Sequence, residues 1–372
     1  MVGRSPGVSW FAELDQSLLA DRRATASGGA PGVGVSQTLR AASSVMSATM
    51  TLTLNSRSDL VEPAARLLAS AIDLGDGGTA EQRRILELVV HNIWHRPDID
   101  VTSLEAMSLE EAEIFRSDEV VHRRLRMFLV LLELCRHPLS EEQVVRVDAY
   151  ASAIGEIDDT GLKLARELVR ESHEDAADHF WLAWSSARIK LSEAVLLERY
   201  ERIGAVDPEL VAMLKRLVEL PRGTLGREYV EFYMGYKFQF PGEGVDNPAF
   251  FVGHDMTHLI AGFGPTGPEE VALSAMQLAM NDSDEHWMVF LTSIAAYEVG
   301  ISSGKTDFAA KDGVLTREGA PELVFEGFER GSKCSGDFSR ADHLSMAHLP
   351  ISEIREMYSV PAPSSPFPPF ID

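Results

Sequence analysis

The sequence predicts an all-α protein made of two helical domains, and three observations carry that prediction. Between about residues 58 and 203 apolar side chains recur at helical spacing, as in Ile85, Leu86, Leu88, Val89, Val90 and Ile93, and no run alternates with the period of a strand. Helix-start signals recur along the chain, among them Ser108-Leu-Glu-Glu111, Ser140-Glu-Glu-Gln143 and Asp207-Pro208. At 372 residues the chain is also too long for one ordinary core.

Residues 1–57 form an N-terminal segment, a short helix with Trp10, Phe11, Leu14, Leu18 and Leu19 followed by the Gly-rich stretch ATASGGAPGVGVSQ at 24–37. That stretch has neither the lysine nor the preceding strand of a phosphate loop, so it is expected to be a flexible linker. The first helical domain spans 58–203. One helix runs through Ile85–Ile93 and should stop at Pro97. Ser108 caps the next, Ser140 opens a capping box with Gln143, and Asp158 or Asp159 starts another.

The second domain spans 204–360. Its first helix starts at Asp207-Pro208 and ends at Leu220-Pro-Arg-Gly223. Thr224 should cap the segment LGREYVEFYMGYKF, which sets Leu225, Tyr229, Phe232, Tyr233 and Tyr236 on one face. Further helices are expected through residues 254–258, from Pro268 to about Met280, and from Asp284 to Val299. Residues 361–372 are too rich in proline for a helix.

Composition narrows the function classes. Apolar residues make up 45% and charged residues 24%, the balance of a soluble folded protein. A formal net charge of −23 excludes binding driven by phosphate counterion release, so no nucleic acid is expected. The same charge limits contact with an anionic membrane to a peripheral one. No apolar run approaches the roughly 20 residues that span a bilayer. Cys135 and Cys334 are far apart and outside any CxxC pair, which fits a reducing compartment. The expectation is a cytoplasmic protein, peripheral to a membrane at most, open to homo-oligomerisation and to protein partners through its acidic helical domain.

One stretch carries chemistry: VGHDMTHLIAGFGPTGPEEV, residues 252–271. On a helix His254 and His258 project as neighbours, with Asp255 on the flank of the same face. The helix should end near Gly262, the chain should turn at Gly264-Pro-Thr-Gly267, and Pro268 suits the start of the next helix. A short turn would return the carboxylates of Glu269 or Glu270 towards the rings. Two imidazoles with one or two carboxylates suit a divalent metal, zinc first and iron as the alternative. A second pair, His91 and His95, has the same spacing but precedes Arg96-Pro97 at a helix end and is expected to be structural. His122, His137, His173, His179, His286, His343 and His348 have no ligand-like company in sequence.

The pattern H-D-x-x-H, eleven residues, then Glu resembles the signature of the Coq-four family of ubiquinone (coenzyme Q) biosynthesis proteins. LPRGTLGREYVEFY, upstream, and HLPISEIREMYSV, near the end, resemble two further motifs of that family; together they cover about residues 205–360. The resemblance implies His254, Asp255, His258 and Glu270 as the metal set, with Arg355 at a family arginine position. It also implies an isoprenoid quinone or prenylated aromatic precursor as ligand, and oxidative decarboxylation or hydroxylation of a polyprenyl hydroxybenzoate ring as the activity. Tyr229, Phe232, Tyr233 and Tyr236, with Phe238 and Phe240, would then line a ring pocket or simply form core. One departure is plain: where the family carries arginines and a glutamate before the first histidine, this chain reads Ala249-Phe-Phe-Val-Gly253. Over about residues 60–170 the rhythm of helices and acidic turns is similar to TerB-like domains, which transfers no functional residue.

Three other readings compete. A lipid- or quinone-binding scaffold would use the metal structurally. HD-type phosphohydrolases share His-Asp but need further ligands, for which only His173 or His179 with Asp282 or Asp284 could be offered. Zinc proteases need a glutamate where Asp255 stands.

Overall fold

The computed structural model describes residues 54–155, 160–170, 173–191, 196, 205–244, 247–301 and 313–363. The Trp10 helix, the 24–37 stretch, the start at Asp158 or Asp159 and the tail from residue 364 lie outside the described residues. Among those described, every regular element is helical, with one isolated bridge between Thr224 and Pro350. The fold is all-α.

In chain order the main helices are α1 (Val61–Ile72), α2 (Ala80–Leu88), α3 (Glu119–Leu134), α4 (Glu141–Ile154), α5 (Thr160–Arg170), α6 (His173–Leu191) and α7 (Pro208–Arg216). They continue with α8 (Leu225–Tyr236), α9 (Phe251–Ala261), α10 (Gly267–Met280), α11 (Asp284–Ile294), α12 (Ala320–Ser332) and α13 (Ile351–Met357).

These helices form two compact units, each discontinuous in sequence. Among the described residues, one comprises those within Trp181–Gly262 and Asp337–Val360; the other comprises those within residues 54–180, Phe263–Gly336 and residues 361–363. The sequence reading placed one boundary near 203 and kept 204–360 together, whereas here residues 263–336 group with the earlier helices. Packing inside the larger unit gives the reason. Helix α10 is buried along most of its length, as a helix apolar on all sides must be. It lies so close to α12 that a Cβ on Gly327 or Gly331 would come within 2.3 Å of the Ala272 or Met276 carbonyl oxygen. Helix α11 packs on α3 through Phe128 and Trp287, whose rings meet edge-on at 5.5 Å. Arg124 of α3 donates to Asp282 at 2.7 Å, with both side chains buried.

Local signals account for the helix ends. Ser108 and Glu111 form the full capping box. Ser140 accepts from the Gln143 N–H at 3.1 Å, but the Gln143 side chain leaves the box and donates to the Ala71 carbonyl at 2.6 Å inside the core. The helix through Ile85 closes with a π turn over Val89–Ile93, so it stops before Pro97 is reached. Helix α11 is likewise extended by a π turn, Ala295–Val299, to the end expected from sequence.

In the smaller unit, the segments that carry the LPRGTLGREY and HLPISEIR motifs pair with each other. The Leu225 and Gly226 N–H groups, two of the donors a helix start leaves unsatisfied, donate to Leu349 and Ala347 carbonyls at 2.9 and 2.8 Å. The Ile351 N–H returns a bond to Gly223 O at 2.9 Å. Thr224, expected to cap α8 with its side chain, instead donates its hydroxyl to Pro221 O at 2.7 Å. Gly226 is required here, because a Cβ would stand 3.1 Å from the Ala347 oxygen and 2.8 Å from Leu220 Cδ1.

Candidate metal centre

Helix α9 begins among aromatics and ends at a glycine. Phe250 and Phe251 lie against Trp184, with ring centroids 5.3 and 5.7 Å away. At the far end Gly262 takes φ +80°, and its N–H donates to His258 O at 2.7 Å, so the chain leaves the helix where sequence placed the stop. Arg355 of α13 holds the same end by donating to the Ile260 and Leu259 carbonyls at 2.9 and 3.0 Å.

Between those ends, His254, Asp255 and His258 each offer a ligand atom, and the three atoms lie within 4.8 Å of one another. The His254 and His258 Nε2 atoms face each other at 3.3 Å. Two nitrogens on a tetrahedral zinc, each at about 2.0–2.1 Å, stand about 3.3–3.4 Å apart, so this pair fits the edge of such a site. His258 is buried at 1% exposure, while His254 and Asp255 are half-buried. The donor set of two imidazoles and one carboxylate fits a divalent metal.

The surroundings orient these groups. Tyr233 of α8 donates its hydroxyl to Asp255 Oδ2, which restrains the carboxylate from behind. Burial, and then the Asp255 charge, push the Tyr233 hydroxyl well above its ordinary value, so it stays protonated and remains a donor. Phe232 stacks over His258 with centroids 6.3 Å apart. Thr257, between the ligands, donates to Gly253 O at 2.6 Å and has the buried His343 Nε2 at 3.3 Å. His343 has no ligand-like company in sequence, and nothing local marks it, because 86 residues separate it from Thr257.

Of the other sequence candidates, Tyr229 and Tyr233 are buried and Tyr236 is 51% exposed, so the aromatic face divides between core and surface. Tyr229 and Tyr233 pack at 4.7 Å, and Tyr233 stacks on Phe240 at the same distance. Arg355 spends two guanidinium nitrogens on the α9 carbonyls. Glu270 is half-buried in the first turn of α10 and belongs to the larger unit. Its neighbour Glu269 accepts from Gly264 N at 2.8 Å and Thr266 Oγ1 at 2.6 Å, closing the turn that precedes α10. His286, without ligand-like company in sequence, is fully buried with Nδ1 2.9 Å from Ser283 Oγ.

No protein-family profile and no curated protein matches the chain. Among solved structures it is similar to the crystal structure of a "putative ubiquinone biosynthesis protein" from Nostoc punctiforme PCC 73102. The identity is 19%, the match covers 64% of this chain and 98% of that one, and the TM-score is 0.31. A likeness at that level does not define a shared fold. No described helix is long and apolar enough to cross a membrane.

Proposed function

We propose that the chain is a Coq-four-like protein that binds a divalent metal, zinc or iron, through His254, Asp255 and His258 and takes a prenylated aromatic ring beside it. The 3.3 Å approach of the two Nε2 atoms, with Asp255 alongside, carries this reading. The motif resemblance supplies the ligand class, and the half-exposed aromatic side chains of α8 suit it. Bound there, the metal would act as a Lewis acid towards a phenolate or carboxylate oxygen. The chain's own residues do the rest. Tyr233 holds Asp255 in place, Phe232 stacks against the His258 ring, and Arg355 with Gly262 fixes the end of α9.

A second reading, a scaffold that binds the ring without turnover, is favoured by one observation. Ala249 and Phe250, standing where the family carries charged residues, are buried, and Phe250 packs on Trp184, so this segment offers no cation for a substrate carboxylate. Two measurements separate the readings: metal content of the purified chain, and CO2 release from a prenylated hydroxybenzoate supplied with dioxygen as the oxidant. Metal with turnover supports oxidative decarboxylation, metal with ring binding but no CO2 supports the scaffold, and no metal removes both. Glu270→Gln tests whether the fourth ligand implied by the resemblance takes part; a weaker metal affinity is expected if it does.

A further inference from the structure

A second group of ligand-type side chains lies wholly within the larger unit, away from any motif. Glu81 stands in the first turn of α2, His137 just beyond the end of α3, and Glu298 in the π turn that follows α11. Their ligand atoms lie within 4.8 Å of one another, although 161 residues separate His137 from Glu298. Glu298 has no exposed side-chain surface; it accepts from the Leu315 N–H at 2.7 Å and meets His137 Nε2 at 2.5 Å. Glu81 Oε1 is shut off from solvent and receives no N–H or hydroxyl donor among the described residues, with the Glu298 carboxyl as its neighbour.

The charge balance of this group is unlike that of two other buried acids in the unit. Glu133 is met by Arg166 at 2.6 Å and Asp282 by Arg124 at 2.7 Å, each a guanidinium on a carboxylate. Glu298 faces an imidazole and a second acid instead. An uncompensated buried carboxylate is costly, and the usual remedies are a cation or a proton. Burial, followed by the bond to Glu298 and its charge, pushes the Glu81 carboxyl up to about 9 when no cation is present.

We infer that Glu81, His137 and Glu298 form a divalent-cation site that ties together three helix ends of this unit. Two carboxylates and one imidazole are the donor set of Mn2+, Fe2+ or Zn2+ rather than of a thiolate-seeking ion. The His137 side chain is 32% exposed, which provides the entry path that a metal site needs. A cation would replace the short contact between His137 and Glu298. The π turn that carries Glu298 is the kind of helix irregularity often found at functional sites.

The experiment uses the full chain carrying His258→Ala, stripped by chelator dialysis and titrated with Mn2+ by electron paramagnetic resonance and with Zn2+ against a chromophoric chelator. One bound equivalent is expected, with a metal-dependent rise in melting temperature. Adding His137→Gln, or separately Glu81→Gln, should remove both the equivalent and the rise. Glu81→Gln guards against misfolding, since the amide keeps the shape of the side chain, and circular dichroism checks that both variants are folded. The proposal is overturned if the His258→Ala chain binds nothing, or if the added substitutions leave its equivalent in place. It is also overturned if Glu81→Gln raises metal-free stability while the titration is unaltered, the outcome of two acids that merely share a proton. Loss of the α9 metal in wild type would leave this result standing, so the two sites fail independently.

Discussion

Two histidine pairs in this chain have the same spacing, and the structure uses them in opposite ways. His254 and His258 sit on one face of α9, which continues to Ala261, and their Nε2 atoms meet at 3.3 Å. His91 and His95 straddle a helix end. His91 lies in the closing π turn with Nε2 3.0 Å from Ile99 O, and His95 is already outside the helix at φ +53°. Spacing of four makes neighbours only while the helix persists beyond the second residue. What separates the pairs is therefore what surrounds them: an aspartate between the histidines and three helical residues after them in one case, Arg96-Pro97 directly after them in the other.

The largest effect should come from breaking the proposed ligand pair. His258→Ala is expected to abolish metal binding at α9, weakening zinc affinity by two orders of magnitude or more, which is about 3 kcal/mol. Helicity by circular dichroism should change little. Elemental analysis and a competition titration of the purified variant check this, and unchanged stoichiometry against wild type would remove the assignment. His91→Ala serves as the contrasting substitution and should leave metal content untouched.

Next comes the group that aims Asp255. Tyr233→Phe keeps the ring stack with Phe240 and deletes only the hydroxyl that donates to Asp255. Partners of metal ligands are worth about 10–100-fold in affinity, so zinc binding should weaken within that range. An unaltered dissociation constant would mean that Asp255 needs no orienting bond, and that the two rings alone distinguish α9 from the helix of His91.

Much of this was legible because it is local. The pair on α9, the glycine stop at 262, the start near Pro268 and the Ser108 box all follow from residues within a few positions of each other. The interleaving of the two units was not, since it depends on Gly327 and Gly331 letting α12 approach α10, a matter between distant segments. His137 was set aside for lack of company, and its company is Glu81 and Glu298, which only the folded chain supplies. His343 was set aside for the same reason, its company being Thr257, 86 residues away. Thr224 misled in another way: it has the residue type of a cap, but the paired segment at Ala347–Leu349 had already satisfied the donors it would serve.

A smaller effect is expected at Arg355, which binds the carbonyl end of the helix that persists. Removing a partly buried cation from a helix C-terminus, along with two hydrogen bonds, typically costs about 1–2 kcal/mol. Arg355→Ala should therefore lower the melting temperature by a few degrees and weaken metal affinity by less than tenfold. A collapse of metal binding, or a loss of ring binding with stability intact, would instead give Arg355 the substrate role that its position in the family motif implies.

The smallest change concerns the pair that fails. His95 holds φ +53°, in the left-handed region where a side chain crowds the following carbonyl and glycine does not. His95→Gly relieves that crowding but loosens the unfolded chain, and the two effects oppose each other. The balance should be a gain of up to about 1 kcal/mol, read as a rise of a few degrees at most in melting temperature, with metal content unaltered. If His95 were a ligand, the same substitution would lower metal content and stability together. The sign of the shift thus decides whether a histidine four residues after another is gripping an ion or only ending a helix.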